Sequence, residues 1–305
     1  MKMTLLSGGT AGAKMAYGLK SAGADFNVIV NTADDDVVLG LYISPDFDSI
    51  LYSLMDVFDF DRNWGIKDDT FYFYQWLERY SLKPYIALGD KDIALHVLRS
   101  YLLKQGKALS QVFEEITELS NVRVRIFPPS NDRITTIVRI GGTEFTFEEY
   151  FVKRITGSLE CIYIRGSENA TASTSALGAI NDSDVLLIAP SNPFASIYPI
   201  LSIKEIREAM RNFKGTRIAI SPIRNNVAFK GPASKMMSDL GFEPSPYSVA
   251  LLYNGFIDKI VIDSSDARYA DSIKKIGIEP IVINNIYMKD KAEIKEFIQT
   301  FLSKI

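Results

Sequence analysis

Short apolar runs alternate with amphipathic segments at both ends of the 305-residue chain. The apolar runs predict β-strands at Thr4–Leu6, Asn27–Val30, Asp184–Ile188, Arg217–Ile220, Lys259–Ile262 and Pro280–Ile283. The amphipathic segments between them predict helices at Ser202–Asn212, Pro232–Leu240 and Ala292–Leu302. Continuous apolar strands that alternate with helices are typical of a parallel sheet covered on both faces. The pattern therefore predicts an α/β fold with a doubly wound, mostly parallel, Rossmann-like sheet.

The middle of the chain has a different pattern, in which helical periodicity dominates. Helices are predicted at Thr70–Tyr80, Asp90–Lys104 and Ser110–Leu119. A β-hairpin is predicted next, with strands at Arg133–Ile140 and Thr143–Phe147 joined by a Gly-Gly turn. We therefore expect a nucleotide-binding α/β core formed by residues 1–48 and 155–305, with a mainly helical insertion at 49–154 that carries the hairpin.

The first predicted strand ends in the glycine-rich turn SGGTAG, and a helical pattern follows directly. Backbone N–H groups and the positive end of a helix meet at such a turn, which suits a phosphate group. The candidate phosphate or nucleotide site comprises Gly8, Gly9, Thr10, Gly12 and Lys14. The turn matches neither the dinucleotide pattern G-x-G-x-x-G nor the P-loop pattern, so a simple tight connection is the alternative.

Polar loops follow the other predicted strands, and ligands of open α/β sheets bind beyond the carboxyl ends of the strands. The loop APSNP adds Ser191 and Asn192 to the candidate phosphate site. The segments NTADDD and SPDFDS bring Asp35, Asp46 and Asp48 to the same edge. Carboxylates in such a group repel one another unless a cation shares their charge, which predicts Mg²⁺ or Mn²⁺ at these three aspartates. The alternative is that Asp46 or Asp48 only caps a helix.

Composition limits the remaining possibilities. A formal net charge of −3 argues against a general nucleic-acid-binding protein. A single cysteine, Cys161, excludes a thiolate zinc site and is expected to be a buried structural thiol. A single histidine, His96, argues against histidine-based metal sites and a Ser-His-Asp triad, and is expected to fill a helix face. The sequence lacks an 18-residue apolar stretch, which predicts a cytoplasmic protein without a membrane partner.

Eight segments, in order along nearly the whole chain, resemble the motifs of the 2-phospho-L-lactate transferase family. They are SGGTAGAK at 7–14, VNTADD at 30–35, SPDFDSILY at 44–52, WGIKDDT at 64–70, LGDKD at 88–92, APSNPFASIYPIL at 189–201, ISPI at 220–223 and KGPASKMM at 230–237. Each segment alone is unspecific, whereas eight in register are highly specific.

The resemblance implies a metal-dependent transferase in the biosynthesis of the deazaflavin coenzyme F-420. A ribityl hydroxyl of the deazaflavin Fo would attack the phosphate that carries lactate in lactyl-diphospho-guanosine, and GMP would leave. The small-molecule partners are therefore Fo and a guanosine-diphosphate-linked donor, with Mg²⁺ as cofactor, and the enzyme is expected to be a homodimer. The insertion at 49–154 would bind the acceptor.

The resemblance also assigns roles to individual residues. Asp48 falls on a deazaflavin-contacting aspartate, and we expect it to be catalytic as well as a metal ligand. Lys91 falls on a deazaflavin-contacting arginine, where lysine keeps the charge but loses the planar bidentate fork. Ala11 replaces a usual glycine of the loop, a small change that still admits a phosphate.

Two other classes of protein remain as alternatives. A non-catalytic regulator that binds nucleotide sugars would share the opening glycine turn but lack SPDFDSILY and LGDKD, which are present here. A nicotinamide oxidoreductase would need an acidic residue at the end of the second strand, where this chain has Asn31. The motifs leave open whether the donor carries a lactyl, phosphoenolpyruvyl or glyceryl group.

Overall fold

The structure is a computed structural model that describes residues 1–228, 231–286 and 288–305. Phe229, Lys230 and Tyr287 lie outside the described residues. The motif KGPASKMM begins at Lys230 and is therefore described only from Gly231 onward.

The strands of the described residues are short, and most coincide with apolar runs. In chain order they are β1 (Lys2–Ser7), β2 (Asp25–Val30), β3 (Asp36–Val38), β4 (Leu41–Ile43), β5 (Ile126–Phe127), β6 (Thr135–Ile140), β7 (Thr143–Thr146), β8 (Leu159–Arg165), β9 (Val185–Ile188), β10 (Thr216–Ile220), β11 (Ile223–Arg224), β12 (Val227–Ala228), β13 (Lys259–Asp263) and β14 (Glu279–Ile283).

The α-helices of the described residues are, in chain order, α1 (Gly9–Ser21), α2 (Pro45–Leu54), α3 (Tyr72–Arg79), α4 (Asp90–Lys104), α5 (Leu109–Leu119), α6 (Phe147–Val152), α7 (Thr174–Asn181), α8 (Tyr198–Ser202), α9 (Lys204–Asn212), α10 (Ala233–Asp239), α11 (Pro246–Leu252), α12 (Ala270–Lys275) and α13 (Lys291–Leu302). A π-helix at Pro193–Ile197 precedes α8, and a 3₁₀ helix at Ser264–Tyr269 precedes α12. None of the described helices has the length and apolarity needed to cross a membrane.

Seven strands form one parallel sheet in the order β14-β13-β10-β9-β1-β2-β5. All six strands predicted for the core are present in it, so the predicted α/β fold class is confirmed. Alternate side chains of β1 enter two separate cores, with Leu5 on one face and Leu6 on the other. Helices cover both faces of the sheet. Its strands are therefore apolar on each side, as is typical of a parallel sheet.

A three-stranded antiparallel sheet, β7-β6-β8, stands beside the main sheet. Its β6–β7 turn is the predicted hairpin, and Gly141 and Gly142 both have positive φ there, at 56° and 76°. The strand β8 contains Cys161 and pairs on one side only, so this thiol is half-buried rather than the fully buried thiol that we expected.

Two features of the region 49–154 were not predicted. The strand β5 pairs in parallel with β2, with Ile126 opposite Val28, and so belongs to the seven-stranded sheet. The helix α5 also packs against the main sheet, since Phe113 and Val112 are fully buried in one of its two cores. The region therefore includes pieces of the main sheet and of its helical cover as well as the helices and the hairpin.

The order in which the chain adds strands to the main sheet reverses between β1 and β9. The chain moves from β1 to β2 and β5 on one side, and from β9 to β10, β13 and β14 on the other. In open α/β sheets the loops diverge at such a point and leave a crevice beyond the carboxyl ends of the strands. The glycine turn after β1 and the APSNP loop after β9 flank this crevice.

Candidate active site

A cavity of about 500 Å³ lies at the carboxyl ends of β1 and β9. Its walls come from the glycine turn, the start of α2, one face of α4, the helix α6 and the loop after β9. The acidic lining residues are Asp34, Asp46, Asp48, Asp92 and Glu148. None of the described residues that line it is a lysine or an arginine. An anionic ligand would therefore need a cation that these side chains do not supply.

The glycine turn closes tightly around the first turn of α1. Gly8 is the N-cap of this helix, and its N–H donates to Ser191 Oγ at 3.3 Å. The N–H of Gly9 donates to Asp46 Oδ1 at 2.6 Å. A Cβ on Gly8 would lie 2.6 Å from Asp46 Oδ2, so only glycine allows this approach. Gly9 has a φ of +61°, which also favours glycine.

The predicted phosphate residues divide into two groups. Gly8, Gly9, Thr10, Ser191 and Asn192 all line the cavity. Thr10 Oγ1 donates to the carbonyl of the loop residue Asn63 at 2.8 Å, which ties the turn to the region 49–154. The Asn192 side chain accepts from two N–H groups of the π-helix, at 3.0 and 3.3 Å, and so fixes the loop after β9.

The other two predicted phosphate residues, Gly12 and Lys14, do not line the cavity. A Cβ on Gly12 would lie 1.6 Å from Ser7 Oγ, so this glycine lets α1 pack against the end of β1. Lys14 lies near Glu293 and Asp290 instead. Burial lowers the pKa of Lys14, and the charges of these two acids oppose that effect. Five of the seven predicted phosphate residues therefore line the cavity.

Asp34 and Asp46 share one donor at the base of the cavity. The Asn31 side-chain amide donates to Asp34 Oδ2 and to Asp46 Oδ2, each at 3.0 Å. Burial raises the pKa of Asp46 to about 6, against the hydrogen bonds from Asn31 and the Gly9 N–H. Burial, with the charge of Asp46, holds the pKa of Asp34 well above its usual range.

Asp35 faces away from the cavity. It accepts hydrogen bonds from the Tyr42 hydroxyl at 2.9 Å and from Ser44 Oγ at 2.8 Å, and burial raises its pKa well above the usual range. It therefore lies behind the cavity wall, whereas Asp46 and Asp48, the other two predicted metal ligands, line the cavity. The alternative that Asp46 or Asp48 only caps α2 does not hold. The N-cap of α2 is Ser44, and both aspartates contact other elements, Asp46 at the Gly9 N–H and Asp48 at Arg99.

A second polar group comprises Asp48, Asp92 and His96. One ligand atom from each lies within 4.8 Å of the other two, which is close enough to hold a metal ion. His96 Nδ1 is 3.6 Å from Asp48 Oδ2, and His96 Nε2 is 3.3 Å from Asp92 Oδ2. The single histidine was expected to argue against a histidine-based metal site, but folding brings two carboxylates to it, so His96 belongs to a group that could hold a metal ion.

Neighbouring side chains fix this group. The hydroxyl of Tyr52 donates to Asp92 Oδ1. Burial pushes the pKa of Asp92 upward, but the His96 imidazole at 3.3 Å and the hydrogen bond from Tyr52 outweigh it and the pKa is lowered. Asp48 pairs with the buried guanidinium of Arg99. Burial raises the pKa of Asp48, and the charges of Arg99 and His96 oppose the increase.

Lys91 lies at the start of α4, outside the cavity lining. Its ammonium donates to the carbonyls of Asp68 at 2.9 Å and Lys67 at 3.4 Å. The helix therefore presents Asp92 and His96 to the cavity and directs Lys91 to the exposed loop that carries the motif WGIKDDT. The structure thus places Asp48 in the cavity and Lys91 outside it.

Several lining residues were not predicted from the sequence. Glu148 projects from α6, and burial raises its pKa to about 7, with the charges of Asp46 and Asp36 adding to the effect. Asp92 also lines the cavity, and Arg99, which lies behind the lining, follows it on α4 at i+7 with His96 between them. That helical spacing of polar residues on a buried face is the signal that could have identified them. The apolar side of the cavity includes Trp64, Tyr74 and Tyr85.

The fold and the cavity define an α/β protein with an acidic cavity at the switch point of its sheet. The chain matches the family described as 2-phospho-L-lactate transferase CofD over residues 3–300. It therefore belongs to the 2-phospho-L-lactate transferase family and is an enzyme of that class, as the sequence motifs predicted. The regulator and the oxidoreductase are set aside.

Individual comparisons agree with this assignment. The chain is 38% identical over 300 residues to the 2-phospho-L-lactate transferase of Methanopyrus kandleri, covering 97% of this chain and 95% of that one. It is 34% identical over 287 residues to a phosphoenolpyruvate transferase of Streptomyces griseus, covering 91% and 90%. A solved structure of a UPF0052 family member from Bacillus halodurans superposes with a TM-score of 0.66 at 17% identity, covering 99% and 98%, which shows a shared fold.

Proposed function

We propose that this enzyme transfers a 2-phospholactyl group, or a related phospho-acid group, from a guanosine-diphosphate-linked donor to Fo in coenzyme F-420 biosynthesis. The observation that carries the proposal is one cavity that joins a glycine turn to two groups of carboxylates, in a chain that matches the family along nearly its whole length. A new bond joins a ribityl oxygen of Fo to the phosphorus that carries the acid, and the bond from that phosphorus to GMP breaks.

The donor diphosphate is assigned to the side of the cavity formed by the glycine turn. There the positive end of α1, the Ser191 hydroxyl and the Asn192 amide lie around the switch point of the sheet. The Gly9 N–H donates to Asp46, and the Ser191 hydroxyl donates to the Gly8 carbonyl at 2.7 Å. A bound phosphate would replace these acceptors at donors whose positions are already fixed. Gly12 supports this side by the close packing of α1, and Lys14 contributes charge only from a distance.

The acceptor is assigned to the side formed by α2, α4 and the aromatic residues. Trp64, Tyr74 and Tyr85 offer surfaces on which a flat deazaflavin ring can stack. Asp48 lines the same cavity, so its carboxylate can accept a hydrogen bond from the attacking ribityl hydroxyl. Lys91 would contact the acceptor only where it extends beyond the cavity.

A divalent cation fits the group of Asp48, Asp92 and His96. Two carboxylates and an imidazole suit Mn²⁺ better than Mg²⁺, which prefers oxygen ligands, and the three ligand atoms are already close together. Asp46 faces the same cavity, while Asp35 is bonded behind it. Such a cation, when bound, would neutralise charge on the diphosphate. That role matters here because none of the described lining residues is a lysine or an arginine.

The test is incubation of the enzyme with Fo, Mg²⁺ and each of three synthetic donors, which carry lactyl, phosphoenolpyruvyl or glyceryl groups. Mass spectrometry should detect one phospho-acid conjugate of Fo together with an equal amount of GMP. The phosphoenolpyruvyl donor is included because one relative is named a phosphoenolpyruvate transferase. GMP release without a conjugate, or no release from any donor, would contradict the proposal.

A homodimer and a cytoplasmic location complete the proposal. The dimer follows from the resemblance to the family, and the location follows from composition. Sedimentation equilibrium at micromolar concentration tests the first, and fractionation of the source cells tests the second.

A further inference from the structure

Arg99 is a large cation buried in the interior, and the proposed function gives it no role. It lies on α4, one turn after His96, and its side chain is fully buried. A guanidinium without a partner costs several kcal/mol to bury, so its neighbours show what it is held against.

The guanidinium donates hydrogen bonds to both carboxylate oxygens of Asp48. Its NH2 nitrogen donates to Asp48 Oδ1, and its NH1 nitrogen donates to Asp48 Oδ2 at 3.3 Å. NH1 also donates to the backbone carbonyl of Tyr42 at 3.1 Å, which anchors the fork to β4. The Cζ atom of Arg99 lies 5.3 Å from the ring centre of Phe47 on α2. Arg99 is therefore held by α2, α4 and β4 together.

Only one end of this arrangement reaches the cavity. Asp48 lines it, whereas Arg99 lies behind Asp48 and does not. A buried pair that served stability alone could be replaced by apolar side chains of similar volume, often without loss of stability. A bidentate pair does something apolar packing cannot do, because two parallel hydrogen bonds fix the plane of a carboxylate.

We propose that Arg99 is a positioning residue, whose guanidinium holds the Asp48 carboxylate in one orientation toward the acceptor side of the cavity. The kinetic part of this inference rests on the proposed function. Lysine could keep the charge but would lose the fork, so orientation would be lost while the local charge stays.

The chain offers a matched control for the substitution. Arg217 also forms a bidentate pair, with Asp258, through Nε at 3.1 Å and NH2 at 2.6 Å, and this pair is partly exposed. It lies at the start of β10, and the cavity lies at the opposite, carboxyl end of the sheet. R217K therefore breaks a bidentate arginine–aspartate pair outside the cavity.

The experiment compares the wild type with R99K, R217K, D48N and the double variant R99K/D48N. We expect R99K to lower kcat on the order of tenfold, with the KM for the donor unchanged, because misplacing a catalytic carboxylate costs turnover rather than donor binding. R217K should leave kcat unchanged. In the D48N background R99K should have no further effect on kcat, since Arg99 acts through Asp48. Equal effects of R99K with and without D48N would overturn the proposal.

Crystal structures provide a second measurement that depends on neither turnover nor variant folding. In wild-type crystals with and without Fo, Asp48 should keep the same side-chain rotamer and both hydrogen bonds to Arg99. Detachment of Asp48 from Arg99 when Fo binds would overturn the inference. If the wild type shows no transfer at all, the proposed function fails. The orientation of Asp48 in wild-type crystals with and without Fo still decides whether Arg99 positions it.

Discussion

The backbone N–H of Gly9 donates to the Asp46 carboxylate at 2.6 Å, at the first residue of α1. A carboxylate therefore occupies the position at a helix N-terminus that a phosphate of the donor is expected to take. Burial raises the pKa of Asp46 to about 6, which means that the buried environment disfavours the anionic form of this carboxylate. A bound diphosphate must compete with this carboxylate or be joined to it through a cation.

The first prediction concerns that competition. In the presence of EDTA, Asp46→Asn should bind GDP several-fold more tightly than the wild type, because the repulsion between a carboxylate and a phosphate is removed. Titration calorimetry measures both affinities. Equal or weaker binding by the variant without metal would show that Asp46 does not occupy the phosphate position.

The second prediction tests the glycine turn. Gly8→Ala should weaken GDP binding at least on the order of tenfold, since the new Cβ would meet Asp46 Oδ2 at 2.6 Å and Ser196 Cβ at 2.7 Å. Gly178→Ala is the control: this glycine lies within α7, and a Cβ there would meet nothing within 4 Å. Calorimetry on both variants compares them. A similar loss in both would point to stability rather than to the turn.

The third prediction concerns the metal. Turnover should stop after exhaustive EDTA treatment and return with Mg²⁺, and Asp92→Asn should weaken Mn²⁺ binding on the order of tenfold or more. Electron paramagnetic resonance of free Mn²⁺ measures the affinity directly. The control, Asp271→Asn, changes an exposed acid on α12. Full activity in EDTA, or unchanged Mn²⁺ affinity in Asp92→Asn, would exclude this site.

The fourth prediction separates the two deazaflavin residues. Asp48→Asn should lower kcat on the order of a hundredfold, because it removes a positioned charge that the transition state uses. Lys91→Arg should preserve activity, and Lys91→Ala should weaken Fo binding only modestly, since Lys91 lies outside the cavity. Fluorescence titration with Fo and calorimetry with GDP measure the two sites. Loss of GDP affinity with unchanged Fo affinity would reverse the placement of donor and acceptor.

The fifth prediction uses Glu148, whose pKa in the folded protein is about 7 instead of 4.5. A raised carboxyl pKa means that the folded state binds the proton more tightly than the unfolded state, so stability is lost as the pH rises from about 4.5 to about 7 and stays lower above 7. Glu148→Gln should therefore raise the melting temperature at pH 8 but not at pH 4.

The expected gain at pH 8 is on the order of 1 kcal/mol, because solvent at the cavity mouth screens part of the charge. Differential scanning calorimetry at the two pH values measures it. The control, Glu208→Gln, alters an exposed glutamate of α9 and should give no pH-dependent difference. The same gain at both pH values would mean that the Glu148 charge is not the cause.

The sequence predicted the parallel sheet well because its strands are continuous apolar runs, a local signal. The strand β5 was missed because it has only two residues, Ile126 and Phe127, and is recognisable only by its partner β2. The pairing of β8 with β6 was missed for a related reason, because it depends on contacts between residues that are distant in the sequence.

The site was predictable where a turn or a short motif carried the chemistry. The glycine turn and the loop after β9 meet because both follow neighbouring strands, which the topology rule anticipates. Asp35 and Asp46 could not be told apart in this way, because Asp35 turns away to the hydroxyls of Tyr42 and Ser44. His96 gained its carboxylate neighbours from α2 and from its own helix, a juxtaposition that composition alone could not indicate.

The pairing of β5 with β2 has a consequence for dissecting the molecule. Excision of residues 49–154 would remove β5 and leave β2 as the edge of the sheet, with its outward N–H and C=O groups exposed. Uncovered edges of this kind invite pairing with other chains and aggregation. A recombinant fragment designed as a minimal nucleotide-binding module would therefore need to retain Ile126–Phe127, or to carry a charged substitution on β2 that blocks intermolecular strand addition.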